Sequence, residues 1–212
     1  MDARTYPMKA TPKSLRTRAR ILDSAMRLFA ETGYHAATNG LIADAAKLTR
    51  GAMLYHFATR EELVEASVAH IEVARARLFE EAARASAAPG QDASEAAIDA
   101  YWALLHEIPF VAFAELEAAA RTDPMLRARL AAAQAAFDRA QVGDRFGALA
   151  QAGADPRFQT SRDLGRFLLE GIARGAMTYD QPARRQRLLA VVKRAVRMLN
   201  RKGDVHDLWG DS

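Results

Sequence analysis

The sequence predicts an all-α protein of about nine helices, and three observations carry that prediction. Alanine is the dominant residue, while Gly and Pro number only 12 and 7 in 212 residues; Ala has the highest intrinsic helix propensity. Apolar residues recur at spacings of three and four, and no stretch shows the strict alternation of a half-buried strand. Residues that start and stop helices sit at the ends of the periodic stretches. With 50% hydrophobic and 26% charged residues, the chain can bury a sizeable core, as one domain or as one small and one larger.

Residues 1–13 hold Pro7 and Pro12 without periodicity and read as a flexible arm carrying Arg4, Lys9 and Lys13. From Ser14 to Thr32, Ile21, Leu22, Ala25, Met26, Leu28 and Phe29 form an apolar stripe. Gly33 follows as a helix stop that tolerates the left-handed conformation. Thr38 is the N-cap of a short second helix through Ile42, Ala45 and Ala46, ending at Lys47. Thr49 is a second N-cap, with Leu48 and Met53 at hydrophobic-staple spacing. Two short helices joined by a tight turn, with small alanines at the crossing, form a helix-turn-helix pattern. Thr59-Arg60-Glu61-Glu62 is a capping box that opens a long helix to about Ser86.

Ala87-Ala88-Pro89-Gly90 breaks the pattern, and Asp92 to Glu95 restarts it through Tyr101, Leu104 and Leu105. Pro109 ends or kinks that helix, and Phe110 to Arg121 forms another. Asp123-Pro124 supplies an N-cap with Pro at N1, starting a helix towards Ala152. After the loop Gly153-Ala154-Asp155-Pro156, helices over Ser161–Met177 and Pro182–Arg201 close the fold; Gly203 caps the last, and residues 204–212 read as a frayed tail.

Charge narrows the function. Residues 1–60 hold 10 Lys and Arg against 4 Asp and Glu, a net of +6, while the remainder holds 20 against 22, a net of −2. A basic head on a nearly neutral body points to a polyanion-binding head; the plainer reading is a charged, frayed terminus. There is no Cys, which excludes disulfides, thiolate metal sites and cysteine nucleophiles and fits a cytoplasmic protein. No run of 18 apolar residues and no apolar leader are present, so neither a membrane span nor a secretory signal is expected. The sequence has no GxGxxG, P-loop or Gly-x-Ser-x-Gly. His106-Glu107 lacks the second His of a zinc helix, since residue 110 is Phe, and the five His residues are scattered. No catalytic residue, metal site or cofactor is predicted, and an enzyme is the disfavoured class.

Taken together, Thr17 to Tyr34, Ile42-Ala43-Asp44-Ala45-Ala46, Thr49 to Phe57 and Arg60-Glu61-Glu62-Leu63 resemble the tetracycline-repressor-like (TetR/AcrR) family of bacterial transcriptional regulators. The resemblance covers roughly residues 15–65. Ala119 to Pro124 is similar to family members more weakly. The chain differs from the family pattern at Lys47, where Gly is usual, at Leu54, where an aromatic is usual, and at Asn39-Gly40-Leu41. The resemblance implies a helix-turn-helix DNA-binding domain over 14–60 and a regulatory, ligand-binding and dimerisation domain over 61–203.

In the head, Met53 and Phe57 share one face of the third helix and read as core. Gly51, Ala52, Leu54 and Tyr55 lie on or beside the opposite face, where small residues let the backbone approach a groove. Arg50 suits a guanine edge or a phosphate, with the base preferred. Thr38 and Thr49 offer hydroxyls to phosphates, and Asn39 completes the candidate surface. Tyr55 and His56 resemble the family's phosphate-contacting pair, and Arg60 adds a further phosphate contact; the alternative makes Tyr55 a packed aromatic and His56 a histidine with no DNA role. Arg16, Arg18 and Arg20 read equally as a solvated face or a backbone clamp.

In the body, the resemblance implies an effector pocket among Tyr101, Trp102, His106, Phe110, Phe113, Glu115, Glu117 and Phe137. Aromatics with a few polar groups suit an apolar or amphipathic small molecule; plain core packing is the competing reading. The resemblance also implies a homodimer interface on the last two helices, through Leu164, Phe167, Leu168, Gly171, Ile172 and Gly175 and through Leu188, Val192, Val196 and Leu199. These residues otherwise complete a monomer core. The expected protein is a repressor released from a pseudo-palindromic DNA operator by its effector. The rivals are a regulator controlled by a protein partner and an activator.

Overall fold

The computed structural model describes residues 11–84, 93–142 and 156–202, and among these it is helical with turns and no strand. The helices are α1 (Pro12–Thr32), α2 (Asn39–Ala45), α3 (Arg50–His56), α4 (Arg60–Arg84), α5 (Ala93–Leu104), α6 (Ile108–Ala120), α7 (Pro124–Val142), α8 (Pro156–Thr178) and α9 (Pro182–Lys202). The residues of the arm before Thr11, the break at 87–90, the end of the predicted helix beyond Val142, the loop residues 153–155, Gly203 and the tail lie outside the described residues.

Local chemistry explains the helix ends. Thr11, Thr38 and Thr49 accept at Oγ1 from the backbone N–H of Ser14, Leu41 and Ala52, at 3.2, 3.3 and 3.1 Å. Asp123 does the same for Leu126 at 3.0 Å, so each cap satisfies an otherwise orphaned donor. Thr59 accepts from Glu62 N–H at 3.1 Å, while the Glu62 carboxylate reaches back to the N–H of Ala58 at 2.9 Å, one residue outside the usual box. Gly33 ends α1 at φ 81°. Lys47 occupies the left-handed region at φ 54° in the turn after α2, a conformation that Gly adopts at less steric cost.

Three boundaries differ from the sequence reading. α1 begins at Pro12, with Thr11 as its cap, so Pro12 and Lys13 belong to a helix and not to the arm. Pro109 lies in the first turn of α6 rather than ending α5, where its missing N–H is no loss. α8 starts at Pro156, within the expected loop, rather than at Ser161, because Pro fits a first helical turn there too.

Contacts divide the chain into two compact units. The first runs to Val73 and includes Val111–Ala133; the second takes Ala74–Phe110 and the chain from Gln134 onward. The core of the first unit is built on Ile21, Phe29, Ile42, Met53, Phe57, Leu63 and Ile71, and continues through Phe113, Leu116, Leu126 and Leu130. The three head helices therefore share one core with parts of α4, α6 and α7. In the second unit Ile98, Leu169, Val192 and Val196 form one cluster, and Leu104, Phe110 and Phe137 another.

Candidate nucleic-acid interface

α3 is short and one-sided. Met53 is fully buried and Leu48 packs beside the same core. The next buried anchor, Phe57, caps the helix, its N–H bonding to the Met53 carbonyl at 3.0 Å. With that face turned inward, Arg50, Gly51, Ala52, Leu54 and Tyr55 are exposed. Tyr55 is the most open large hydrophobic of the three head helices at 71%, and its ring meets His56 edge-on, centroids 5.4 Å apart. A Cβ built on Gly51 meets nothing within 4 Å. Nothing in the fold requires glycine there, and glycine inside a helix costs about 0.5–1 kcal/mol relative to Ala.

The caps of α2 and α3 are also open to solvent. Thr38 and Thr49 are exposed, and each hydroxyl, already accepting from a backbone N–H, keeps its own hydrogen for an incoming acceptor. Leu41 on α2 is 48% exposed. His56 and Asn39 are half-buried.

Two arginines brace this surface. Arg18 donates to the His56 carbonyl at 2.9 Å and lays its guanidinium 4.0 Å from the Phe57 ring centroid, tying α1 to the end of α3. Sequence reading left it among three equivalent arginines; the signal that separates it is its place one turn before the buried Ile21 and Leu22. Arg60 was read as a phosphate contact. The structure engages it within the fold: Nη1 donates to the Ala37 carbonyl at 2.7 Å and to Asn39 Oδ1 at 3.2 Å, and Nη2 to the Tyr34 carbonyl at 3.1 Å. It also lies over the Phe29 and Tyr34 rings at 5.6 and 5.2 Å. Charge-assisted bonds to carbonyls of an irregular loop fix the entry to α2, and the Asn39 carbonyl oxygen is held in the same grip.

The predicted effector residues are divided between the two units. Phe113 is part of the first unit's core. Glu117 is exposed and lines a shallow surface depression of about 290 Å³ with Ala120, Arg121, Arg127, Leu130 and Ala131. In the second unit His106 is exposed, its ring bonded to the Trp102 carbonyl at 2.9 Å. Tyr101, Phe110 and Phe137 pack edge-to-face, Tyr101 with Phe110 at 6.1 Å and Phe110 with Phe137 at 6.3 Å. Arg75, only 3% exposed, lies over Phe110 and Phe137 at 5.1 and 4.3 Å.

A hydrogen-bonded chain continues from Arg75, and sequence reading missed it because its members are far apart in the chain. Arg75 donates to Gln134 at 3.2 Å, Gln134 to Asp138 at 2.8 Å, and Arg166 to Asp138 at 3.0 Å and to Glu170 at 2.9 Å; Tyr101 closes it by donating to Glu170 at 2.9 Å. Burial, then the Glu170 charge and hydrogen bond, raise the Tyr101 hydroxyl well above its ordinary range. Burial pulls Arg166 down, but the bond and charge of Glu170 and the charge of Asp138 hold it above its usual value.

The residues expected at the interface divide by burial. Val192, Val196 and Leu199 are 3, 7 and 4% exposed within one protomer and complete its own core. Ile172 packs against that core and Leu164 is half-buried. Phe167, Leu168, Leu188 and Val191 are 63, 40, 39 and 63% exposed. The glycine that lets α8 and α9 approach within the protomer is Gly165, whose Cβ would meet Val196 Cγ2 at 3.4 Å, whereas Gly171 and Gly175 face open space.

Comparison with known proteins agrees with this geometry. Residues 21–67 match the family model described as bacterial regulatory proteins, tetR family. The chain is 42% identical over 55 residues to the HTH-type transcriptional regulator AcrR of Shigella flexneri, a stretch that spans 26% of either protein. Over its length it resembles solved structures. A TetR family member from Streptomyces coelicolor A3 shares 27% identity at TM-score 0.57, covering 84% of this chain and 96% of that one. The multidrug binding protein EbrR, in complex with imidazole, shares 25% identity at TM-score 0.54, covering 84% and 93%. Among the described residues no helix is long and apolar enough to cross a membrane. The head, built around an outward-facing third helix, thus matches the tetR-family model of bacterial regulatory proteins, and the chain carries the helical fold of solved members of that family.

Proposed function

We propose that the protein is a homodimeric, sequence-specific DNA-binding transcriptional repressor, released from a pseudo-palindromic operator by a small apolar or amphipathic effector. The observation that carries the DNA-binding part is the outward face of α3. It combines Arg50, a glycine the fold does not require, and exposed Tyr55 next to His56, with the exposed caps Thr38 and Thr49 at the starts of α2 and α3. An α-helix of this kind fits the major groove, with Arg50 reaching a guanine edge and the hydroxyl and imidazole groups reaching phosphates.

Homodimerisation is supported by the apolar surface that α8 and α9 leave open: Phe167, Leu168, Leu188 and Val191 beside the uncovered Gly171 and Gly175. A two-fold dimer presents two copies of α3 to successive major grooves. The effector reading is supported by likeness to a protein named for multidrug binding and by the aromatic cluster of Tyr101, Phe110 and Phe137. Such an effector must favour a state that does not fit the operator, or it shifts nothing.

Selection from a random duplex pool at about 150 mM salt tests this reading. Enrichment of a pseudo-palindrome is expected, with affinity falling roughly 10³–10⁵-fold between 50 and 200 mM salt for six to ten neutralised phosphates. Recovery of unenriched DNA would refute sequence-specific recognition.

A further inference from the structure

We propose that Leu54 reads the 5-methyl group of a thymine, one to two base pairs from the base that Arg50 contacts. This deepens the DNA-binding reading and rests on it. The starting point is the character of the α3 surface. Its exposed residues are Arg50, Gly51, Ala52, Leu54 and Tyr55, with a single cation and no carboxylate. An ordinary solvated helix face in the same unit looks different: α4 exposes Glu61, Glu62 and Glu65. One exposed leucine needs no explanation. Here, however, Leu54 is 39% exposed on the same face as the open Gly51 and Arg50.

Residues four apart lie on one face of a helix, about 6 Å along its axis. Base pairs stack about 3.4 Å apart, so Arg50 and Leu54 span one to two steps. The major groove offers one apolar feature to a side chain that cannot hydrogen-bond, the C5-methyl of thymine. The absence of a side chain at Gly51 lets this face come close enough for van der Waals contact. Leu54 also lacks the hydroxyl that would direct it to a phosphate.

The test uses the full chain and the duplex enriched from a random pool. Each thymine is replaced in turn by deoxyuridine, which keeps base pairing and the O4 acceptor and removes only the methyl. Wild type and Leu54→Ala are titrated by fluorescence anisotropy, with thermal melts verifying that the exposed substitution leaves the fold intact. At one thymine per half-site, uracil is expected to weaken wild type about 4-fold, the value of one buried methyl, and about 15-fold when both half-sites are changed. Leu54→Ala is expected to bind the thymine duplex more weakly and to be indifferent to uracil at that position. Equal weakening of thymine and uracil duplexes by Leu54→Ala would overturn the proposal while leaving DNA recognition standing, as would an enriched half-site with no thymine. Failure to enrich any sequence would overturn both.

Discussion

In the first unit, the residues that mark helix ends in the sequence are the residues that cap them in space. Thr38, Thr49 and Asp123 accept the expected backbone donors, and Met53 and Phe57 point inward while Gly51 and Tyr55 point out. In the second unit the helices form where periodicity puts them, yet their faces are assigned differently. Val192, Val196 and Leu199, read as an interface, are buried in the protomer, and neighbouring Val191 is exposed. The difference is physical. Capping and a two-turn recognition helix are local, fixed by residues within four positions of each other. Which side of a long apolar helix is covered depends on partners remote in sequence, such as Asp99 on α5, which bonds to Lys193 of α9 at 2.7 Å.

The comparison can be broken most forcefully in the two cores. Phe29→Ala removes a fully buried ring of the first unit and is expected to lower stability by about 3–5 kcal/mol in denaturant unfolding. A loss under 1 kcal/mol would show that the shared core is loosely packed. In the second unit the adjacent pair Val191 and Val192 discriminates between faces. Val192→Asp buries a charge and should abolish cooperative unfolding, whereas Val191→Asp should leave the helices intact and disperse the proposed dimer in sedimentation. Gly171→Leu, with open space around it in the protomer, should likewise spare the fold and disturb only assembly.

Arg60→Ala addresses the brace under the interface. Losing its bonds to the Tyr34 and Ala37 carbonyls should cost about 2–3 kcal/mol in stability, and DNA affinity should fall further than with Arg16→Ala, an exposed residue of the same charge. Equal losses of affinity would reduce Arg60 to its charge.

Smaller effects sharpen the account. In the second unit, the Tyr101 hydroxyl ionises higher when folded than when unfolded. Its contribution is fully present below about pH 10 and is lost as pH rises above it. Tyr101→Phe should flatten that alkaline decline in a pH series of melts. In the first unit, Lys47→Gly should raise stability by about 0.5 kcal/mol, relief of the left-handed strain being partly offset by the entropy of glycine.

The sequence made the architecture, the helix-turn-helix and the exposed set from Arg50 to Tyr55 legible, because each depends on short-range periodicity. It did not reveal that Arg60 is drawn into the Tyr34–Asn39 loop, since an arginine at a helix start looks the same whether it faces carbonyls or phosphates. Nor did it reveal the chain from Arg75 through Gln134, Asp138, Arg166 and Glu170 to Tyr101, whose members come from four helices. Pro156 starts a helix for the same reason as Pro124, a fixed φ and no N–H to lose.

Whether the outward face of α3 is shaped for DNA or only by the fold is decided at Gly51. Gly51→Leu places a good helix former where a Cβ meets nothing within 4 Å. Its thermal midpoint and its operator affinity are measured on the same preparation. The account predicts opposite signs: stability unchanged or higher by up to about 1 kcal/mol, and affinity at least about 10-fold weaker, a loss of about 1.4 kcal/mol per site or more. Unchanged affinity in a stable Gly51→Leu protein would contradict it, and would place the recognition surface somewhere other than α3.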